Sequence, residues 1–182
     1  MLYRLFNRGQ KCRYFCQDET RLGLKTISGK MITLMGVKPK GNVQWRRENF
    51  FLYGAIEVMN GENYFYEFPF LNRQCFQIFV NQLAQEFPET LNFLQLDNAP
   101  FHQNIDFPEN IIPVFQPPHS PELNPLERFW QELKRNLKWE NCNNLEELQQ
   151  RLSEILNQIE LEELVSLTGW DYLVEAILSA TS

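Results

Sequence analysis

Residues 116–138 read Q-P-P-H-S-P-E-L-N-P-L-E-R-F-W-Q-E-L-K-R-N-L-K, and the placing of every other segment depends on this stretch. Ser120-Pro121 and Asn124-Pro125 each set a capping residue before a proline, which loses nothing at a first helical position where the N–H has no partner anyway. A helix therefore starts within these few residues. Leu126, Phe129, Trp130, Leu133 and Leu137 then recur three and four apart, which is one apolar helix face laid on a core. Glu127 lies beside that stripe in the first turn. With Asn124 as N-cap it takes the third helical position, where a carboxylate closes a capping box. Alternatively it belongs to a site, which requires other carboxylates aimed at the same place.

Working outward, residues 111–115 form a short strand leading into this helix, and 91–96 are almost wholly apolar, as expected of a strand buried on both faces. That strand ends in D-N-A-P-F-H at 97–102. Upstream, Phe76, Phe79, Val80, Leu83, Ala84 and Phe87 fall at helical spacing within 72–87, and Pro88 closes the helix. Residues 49–59 and 64–70 are strands joined across Asn60-Gly61, a strong hairpin signal. A further strand at 11–19 puts Cys12, Tyr14, Cys16 and Asp18 on one face and Arg13, Phe15, Gln17 and Glu19 on the other. Between 21 and 47 the pattern is weaker, with a small strand or ribbon at 31–37 beside a turn at 38–41. After Trp139 the chain is helical, at 144–159, 161–167 and 170–178. This order predicts an α/β layer fold. Its mixed sheet is an antiparallel three-strand meander plus two parallel strands, with flanking helices and a helical C-terminal cap. Residues 1–140 make the main domain, and 141–182 a helical extension packed on it.

Composition narrows the function classes. With 182 residues, 43% hydrophobic and 14% aromatic, the chain can bury a core and is not a disordered tail. No apolar run reaches the roughly 18 residues of a membrane helix, and no apolar segment follows the charged amino terminus, so a soluble, unexported protein is expected. Cys12, Cys16, Cys75 and Cys142 lack C-x-x-C spacing, which argues against a zinc ribbon or disulfide framework and for buried thiols in a reducing compartment. Net charge is -6, unevenly spread: +9 over 1–47, -7 over 48–139 and -8 over 140–182. The basic half suits a phosphate-facing surface, or it neutralises the acidic half.

Asp18 and Asp97 end strands, and Glu127 opens a helix that follows one. Ligands bind at the carboxyl ends of strands in open α/β sheets, so the three could converge. Three carboxylates repel unless divalent cations neutralise them, and all-oxygen donors select Mg²⁺ or Mn²⁺. Two such ions about 4 Å apart clamp the attacking and leaving oxygens of an in-line phosphoryl displacement. Strand alternation lets only one of Asp18 and Glu19 face that site, without saying which.

C-Q-D-E-T-R-L-G-L at 16–24, L-D-N-A-P-F-H at 96–102 and P-P-H-S-P-E-L-N-P-L-E-R-F-W-Q-E-L-K at 117–134 resemble the three signature blocks of DDE transposases of the mariner-like superfamily, in its bacterial insertion-sequence branch. The resemblance implies a ribonuclease H-like catalytic domain and selects Asp18, with Asp97 and Glu127, as catalytic and metal-binding triad. It also implies two Mg²⁺ or Mn²⁺ ions, DNA cleavage at transposon ends and strand transfer by the freed 3′-hydroxyl. The partners implied are transposon-end and target DNA and a second copy of the chain when assembled on DNA. The location implied is a bacterial cytoplasm, at the nucleoid. The family sets helix-turn-helix modules ahead of the catalytic domain, and here the first strand starts almost at Met1. Those modules are expected on a separate polypeptide or lost, leaving this chain without selective recognition of a transposon end. Two departures stand out: 29 residues separate Asp97 from Glu127, a few fewer than usual, and His119 replaces an aromatic. His102 is a candidate to sit beside the metals or against a phosphate, or is simply structural; Lys134, Arg135 and Lys138 are candidates for DNA contact, with Arg46 and Arg47 beside Trp45. Two other readings fit the same residues: an inactive or domesticated remnant serving as an interaction module, and a ribonuclease H-type nuclease.

Overall fold

The computed structural model describes residues 11–25, 33–38, 40, 44–118 and 120–181. Five strands form one sheet in the order β3-β2-β1-β4-β5: β1 (Lys11–Gly23), β2 (Asn49–Glu57), β3 (Asn63–Phe68), β4 (Thr90–Leu96) and β5 (Ile111–Phe115). β1 pairs antiparallel with β2 and β2 with β3, while β4 and β5 join parallel, giving the expected meander plus two parallel strands.

Strand ends depart from the sequence reading. β1 does not stop at Glu19, because residues 20–23 keep pairing with β2 down to Gly23↔Asn49. Asp18 therefore sits inside a long strand, at the point where the parallel partner leaves. β3 ends at Phe68 rather than 70, directly before Pro69, which has no N–H for the ladder. Much of the predicted ribbon at 31–37 lies outside the described residues. Its described part is a turn closed by Val37 N–H donating to the Leu34 carbonyl, 3.0 Å, with Gly36 at φ 82.

Helix α1 (Arg73–Glu86) covers one face. Asn72 caps it by accepting from Cys75 N–H at 2.9 Å. The alternation within β1 decides what it covers: Phe15 packs with Tyr53, Phe76, Phe79, Leu83, Leu94 and Leu96. The other face carries α2 (Leu126–Asn136), α3 (Leu145–Gln158), α4 (Leu161–Thr168) and α5 (Asp171–Thr181). There Cys16, Leu52 and Ile56 meet Leu126, Phe129, Leu133 and Leu137, the stripe read from the sequence, together with Leu152, Leu164 and Leu173. The C-terminal helices thus share a core with α2. Cys16, Cys75 and Cys142 are buried and Cys12 is half-buried. Among the described residues, no helix is long and apolar enough to cross a membrane.

Candidate active site

The last parallel pair between β1 and β4 is Cys16↔Gln95. Two residues further on, each strand carries an aspartate, Asp18 and Asp97, so register alone brings the two side by side where the strands diverge. Gln116, one residue past β5, bonds back to β4 through its N–H to the Leu96 carbonyl at 2.8 Å, and the chain then turns through a 3₁₀ segment (Pro121–Leu123) into α2. This turn returns Glu127 to the same edge. Asp18, Asp97, Asn98, Gln116, Asn124 and Glu127 line a cavity of about 450 Å³, and among the described residues no Lys or Arg lines it. Three sequence-predicted carboxylates therefore border one space.

Glu127 is not the capping residue. α2 begins at Leu126 with Pro125 as N-cap and no side-chain cap. Asn124 is buried and fully used elsewhere: its Oδ1 accepts from Leu126 N–H at 3.2 Å, and its Nδ2 donates to the Gln17 carbonyl at 2.9 Å, tying the helix start to β1. The carboxylate of Glu127 is exposed, and among the described residues none hydrogen-bonds it.

Asp18 is gripped from the α2 side. Trp130, whose ring is 5% exposed, donates Nε1–H to Asp18 Oδ2 at 2.9 Å. Gly54, paired with Asp18 across the β1–β2 ladder, makes room for that indole: a Cβ there would lie 2.7 Å from Trp130 Cη2 and 2.8 Å from the Phe65 ring. Burial, with the negative charges of Glu19 and Asp97 nearby, pushes the Asp18 carboxyl up to about 7 against the Trp130 bond.

Asp97 has the opposite surroundings. Its side chain is 53% exposed, and its Oδ1 lies 2.8 Å from His102 Nδ1 and accepts from Ala99 N–H at 2.9 Å. The His102 bond holds the Asp97 carboxyl below the usual carboxylate range despite partial burial. Burial opposes charge on His102, yet bonds to Asp97 and Glu19 outweigh it and raise the imidazole to about 9.

Glu19 faces the α1 side, as alternation requires, and does not line the cavity. It reaches Asp97 indirectly, with Oε1 3.1 Å from His102 Nε2 and accepting from Gln17 Nε2 at 2.7 Å.

The DNA-contact candidates fare differently. His102 is 1% exposed with a carboxylate at each ring nitrogen, so it has no face left for a phosphate, which corrects the sequence expectation. Arg46 pairs with Glu48 at 2.7 Å and donates to the Asn143 carbonyl. Arg135 pairs with Glu132 one turn back on α2. Arg47 and Lys138 are exposed and Lys134 is half-buried; none of the five basic residues lines the cavity. His119 lies outside the described residues. Sequence reading missed Trp130, Gly54, Gln116 and the Glu19–His102 link. A tryptophan in an apolar stripe still needs an acceptor for its N–H, and a glycine inside a strand marks a close approach; those were the available signals.

The donors round the cavity are all hard oxygens with no protein cation among them, which fits a hard divalent metal. As the side chains stand, no three of the described His, Cys, Asp or Glu residues are drawn tightly enough round one point to hold an ion. Asp97 gives one oxygen to His102 and Asp18 one to Trp130. In addition, Gln116, 6% exposed, has an amide nitrogen without a hydrogen-bond partner among the described residues.

Residues 13–149 match the model of a family described as DDE superfamily endonuclease. A protein of Sinorhizobium fredii (strain NBRC 101917 / NGR234), described as uncharacterized protein y4pE/y4sA, is 29% identical over 89 residues, 47% of this chain and 66% of that one. Among solved structures, a pre-cleavage Mos1 transpososome superposes with a TM-score of 0.68 at 16% identity, over 91% of this chain and 54% of that chain. The Mos1 strand transfer complex gives 0.66 at 14%, over 85% and 50%. At such identities the likeness is one of fold, the ribonuclease H-like catalytic core. The chain spans about half the length of those transposase chains.

Proposed function

The chain belongs to the DDE superfamily endonuclease family, and from that membership we propose that it is the catalytic domain of a mariner-like transposase of the bacterial insertion-sequence branch. It cleaves DNA at transposon ends and joins the freed end to target DNA. One observation carries this reading: Asp18, Asp97 and Glu127, 109 residues apart at the extremes of the chain segment they span, border a single cavity that no Lys or Arg among the described residues lines. We assign residues 1–140 to the catalytic domain and 141–182 to an extension that braces it.

Asp18, Asp97 and Glu127 would hold two Mg²⁺ or Mn²⁺ ions, which supply charge neutralisation at the scissile phosphate and a more acidic attacking water or hydroxyl. Two solved Mos1 paired-end complexes are described with Mn and with Mg, which supports that choice. The protein's own part is arrangement. Trp130 holds Asp18 by one oxygen, and His102 holds Asp97 by one oxygen. Both carboxylates and the exposed carboxylate of Glu127 border the same cavity and would be the ligands. Gln116, with an unpartnered amide nitrogen, offers a neutral donor to a phosphate oxygen. Asp18, raised to about 7 by burial and its acidic neighbours, would ionise more readily beside a bound cation.

DNA is the partner, engaged by a dimer of the chain in the cytoplasm at the nucleoid, with end selectivity supplied by a helix-turn-helix module outside this domain. The test is nicking of supercoiled plasmid and of pre-nicked transposon ends with Mn²⁺. Asp97→Asn is expected to lower the rate by about 1,000-fold or more, ~4 kcal/mol of transition-state stabilisation. Cleavage that survives this substitution sinks the assignment. Faster cutting of an RNA–DNA hybrid than of duplex DNA transfers it to a ribonuclease H-type nuclease.

A further inference from the structure

Glu19 is the acid that the triad leaves out, yet its environment is as constrained as any in the molecule. Its side chain is 7% exposed and its Oε1 is shared by Gln17 Nε2 at 2.7 Å and His102 Nε2 at 3.1 Å. His102 is 1% exposed and clamped between two rings, with the Phe76 centroid at 4.2 Å and the Phe101 centroid at 4.3 Å. Its other nitrogen meets Asp97 Oδ1 at 2.8 Å. The segment bringing it there is a 3₁₀ turn (Pro100–His102), closed by His102 N–H to the Ala99 carbonyl at 3.0 Å. A buried, ring-clamped imidazole can shift little without breaking aromatic packing. Asp97 by contrast is half-open, and left alone it would sample several rotamers.

We propose that Glu19 and His102 form a positioning relay for Asp97: Gln17 and Glu19, on β1, fix the His102 ring, and the ring fixes one carboxylate oxygen so that the other is presented to the cavity. The inference rests on Asp97 being a metal ligand, as set out above, and gives Glu19 and His102 roles that no contact with DNA or metal requires. It gives both acids of the pair Asp18-Glu19, on opposite faces of one strand, a part in the same site. Asp18 borders the cavity directly, and Glu19 acts on it from behind, through the ring.

The relay predicts a pattern that packing alone does not. In the 182-residue chain, Mn²⁺ affinity is followed by calorimetry or by the loss of the free-ion paramagnetic resonance signal, and melting curves in chelator report the fold. The side-chain nitrogen of asparagine falls near the place of histidine Nδ1, and that of glutamine near Nε2. His102→Asn therefore keeps the bond to Asp97 and should retain Mn²⁺ affinity within about 3-fold, whereas His102→Gln and His102→Ala should lose roughly 10- to 100-fold, the usual effect of removing a partner that orients a metal ligand. Glu19→Ala, which leaves the bond to Asp97 but removes the brace on the ring, should fall between the two groups. Equal affinity in His102→Asn, His102→Gln and wild type overturns the relay while leaving the metal site standing. Equal losses in His102→Asn and His102→Gln also overturn it, since they would follow simple damage to the core. Absence of Mn²⁺ binding in the wild type itself brings down the metal reading and the relay with it.

Discussion

Asp18 and Asp97 occupy matching places, each two residues beyond the last parallel pair of adjacent strands, and the protein treats them in opposite ways. Asp18 is set against the α2 face, bound by the neutral indole of Trp130 and pushed up to about 7 by burial and by its acidic neighbours. Asp97 is half-exposed, ion-paired with His102, and held below the usual range. Backbone register therefore brings two carboxylates together, and side chains from separate layers make them chemically unequal. One stays ionised through the neutral range, and the other titrates close to it. Such splitting is how adjacent acids are given different tasks.

This contrast predicts two separate pH windows for the stability of the protein in chelator. An acid whose folded value is raised costs stability as it ionises. For Asp18 the cost accrues from about 3.8 up to about 7 and is level above, and it amounts to about 4 kcal/mol at most for a shift of this size. Asp18→Asn should therefore be more stable than wild type at pH 8, with the gap closing as pH falls toward 4. For His102 the raised value means stability that is full below 6.5 and lost as pH rises to about 9, about 3 kcal/mol at most. His102→Asn should flatten that upper window and leave the lower one alone. Urea denaturation from pH 4 to pH 9.5 separates them, and a wild-type curve flat from 4 to 7 breaks the contrast on the Asp18 side.

Gly54 sharpens the Asp18 half next. A Cβ there would press on Trp130 and Phe65 at under 3 Å, so Gly54→Ala should cost about 1–3 kcal/mol through overpacking. That is a fall in Tm of roughly 3–10 °C for a domain of this size. Since the displaced ring is the one that bonds Asp18, Mn²⁺-dependent nicking should fall by more than the melt accounts for at 25 °C. A variant that melts lower yet nicks at the wild-type rate shows that Trp130 is core and nothing else.

How much of this was legible beforehand follows from where each feature is specified. The α2 stripe, the helices over 72–87 and 144–159 and the meander with its two parallel additions come from local spacing and turn chemistry, and they read correctly from the chain; Asp18, Asp97 and Glu127 border one cavity. The end of β1 could not be read, because it is set by pairing with residues 49–52, not by its own composition. α2 starts one residue later than read, because Asn124 Oδ1 accepts from Leu126 N–H and not from Glu127, while its Nδ2 is fixed on the Gln17 carbonyl, 107 residues away. His102 stayed open between a place beside the metals, a phosphate contact and a structural role; the Phe76 and Phe101 rings bury it, and its partners are Glu19 within β1 and Asp97 just past β4. Contacts that reach across layers leave almost no local trace.

The smallest expected effect concerns Glu127, the carboxylate with neither kind of partner. Its support lies one turn earlier, where the Leu123 carbonyl accepts from Gln95 Nε2 at 3.1 Å and from the Tyr172 hydroxyl at 2.9 Å. Arg128, next to Glu127, lies over the Trp170 ring at 5.0 Å from its centroid. The acidic C-terminal helices thus act as a strut on the turn that aims the third acid. Tyr172 is 43% exposed, so Tyr172→Phe should cost no more than about 1 kcal/mol of stability and shift Tm by about 2–4 °C or less. If the strut matters to the site, Mn²⁺-dependent cleavage drops several-fold in this variant while Tyr66→Phe, a comparably exposed tyrosine on the edge strand β3, leaves it unchanged. Equal rates in both variants would make α5 a cover for the core and leave Glu127 positioned by α2 alone.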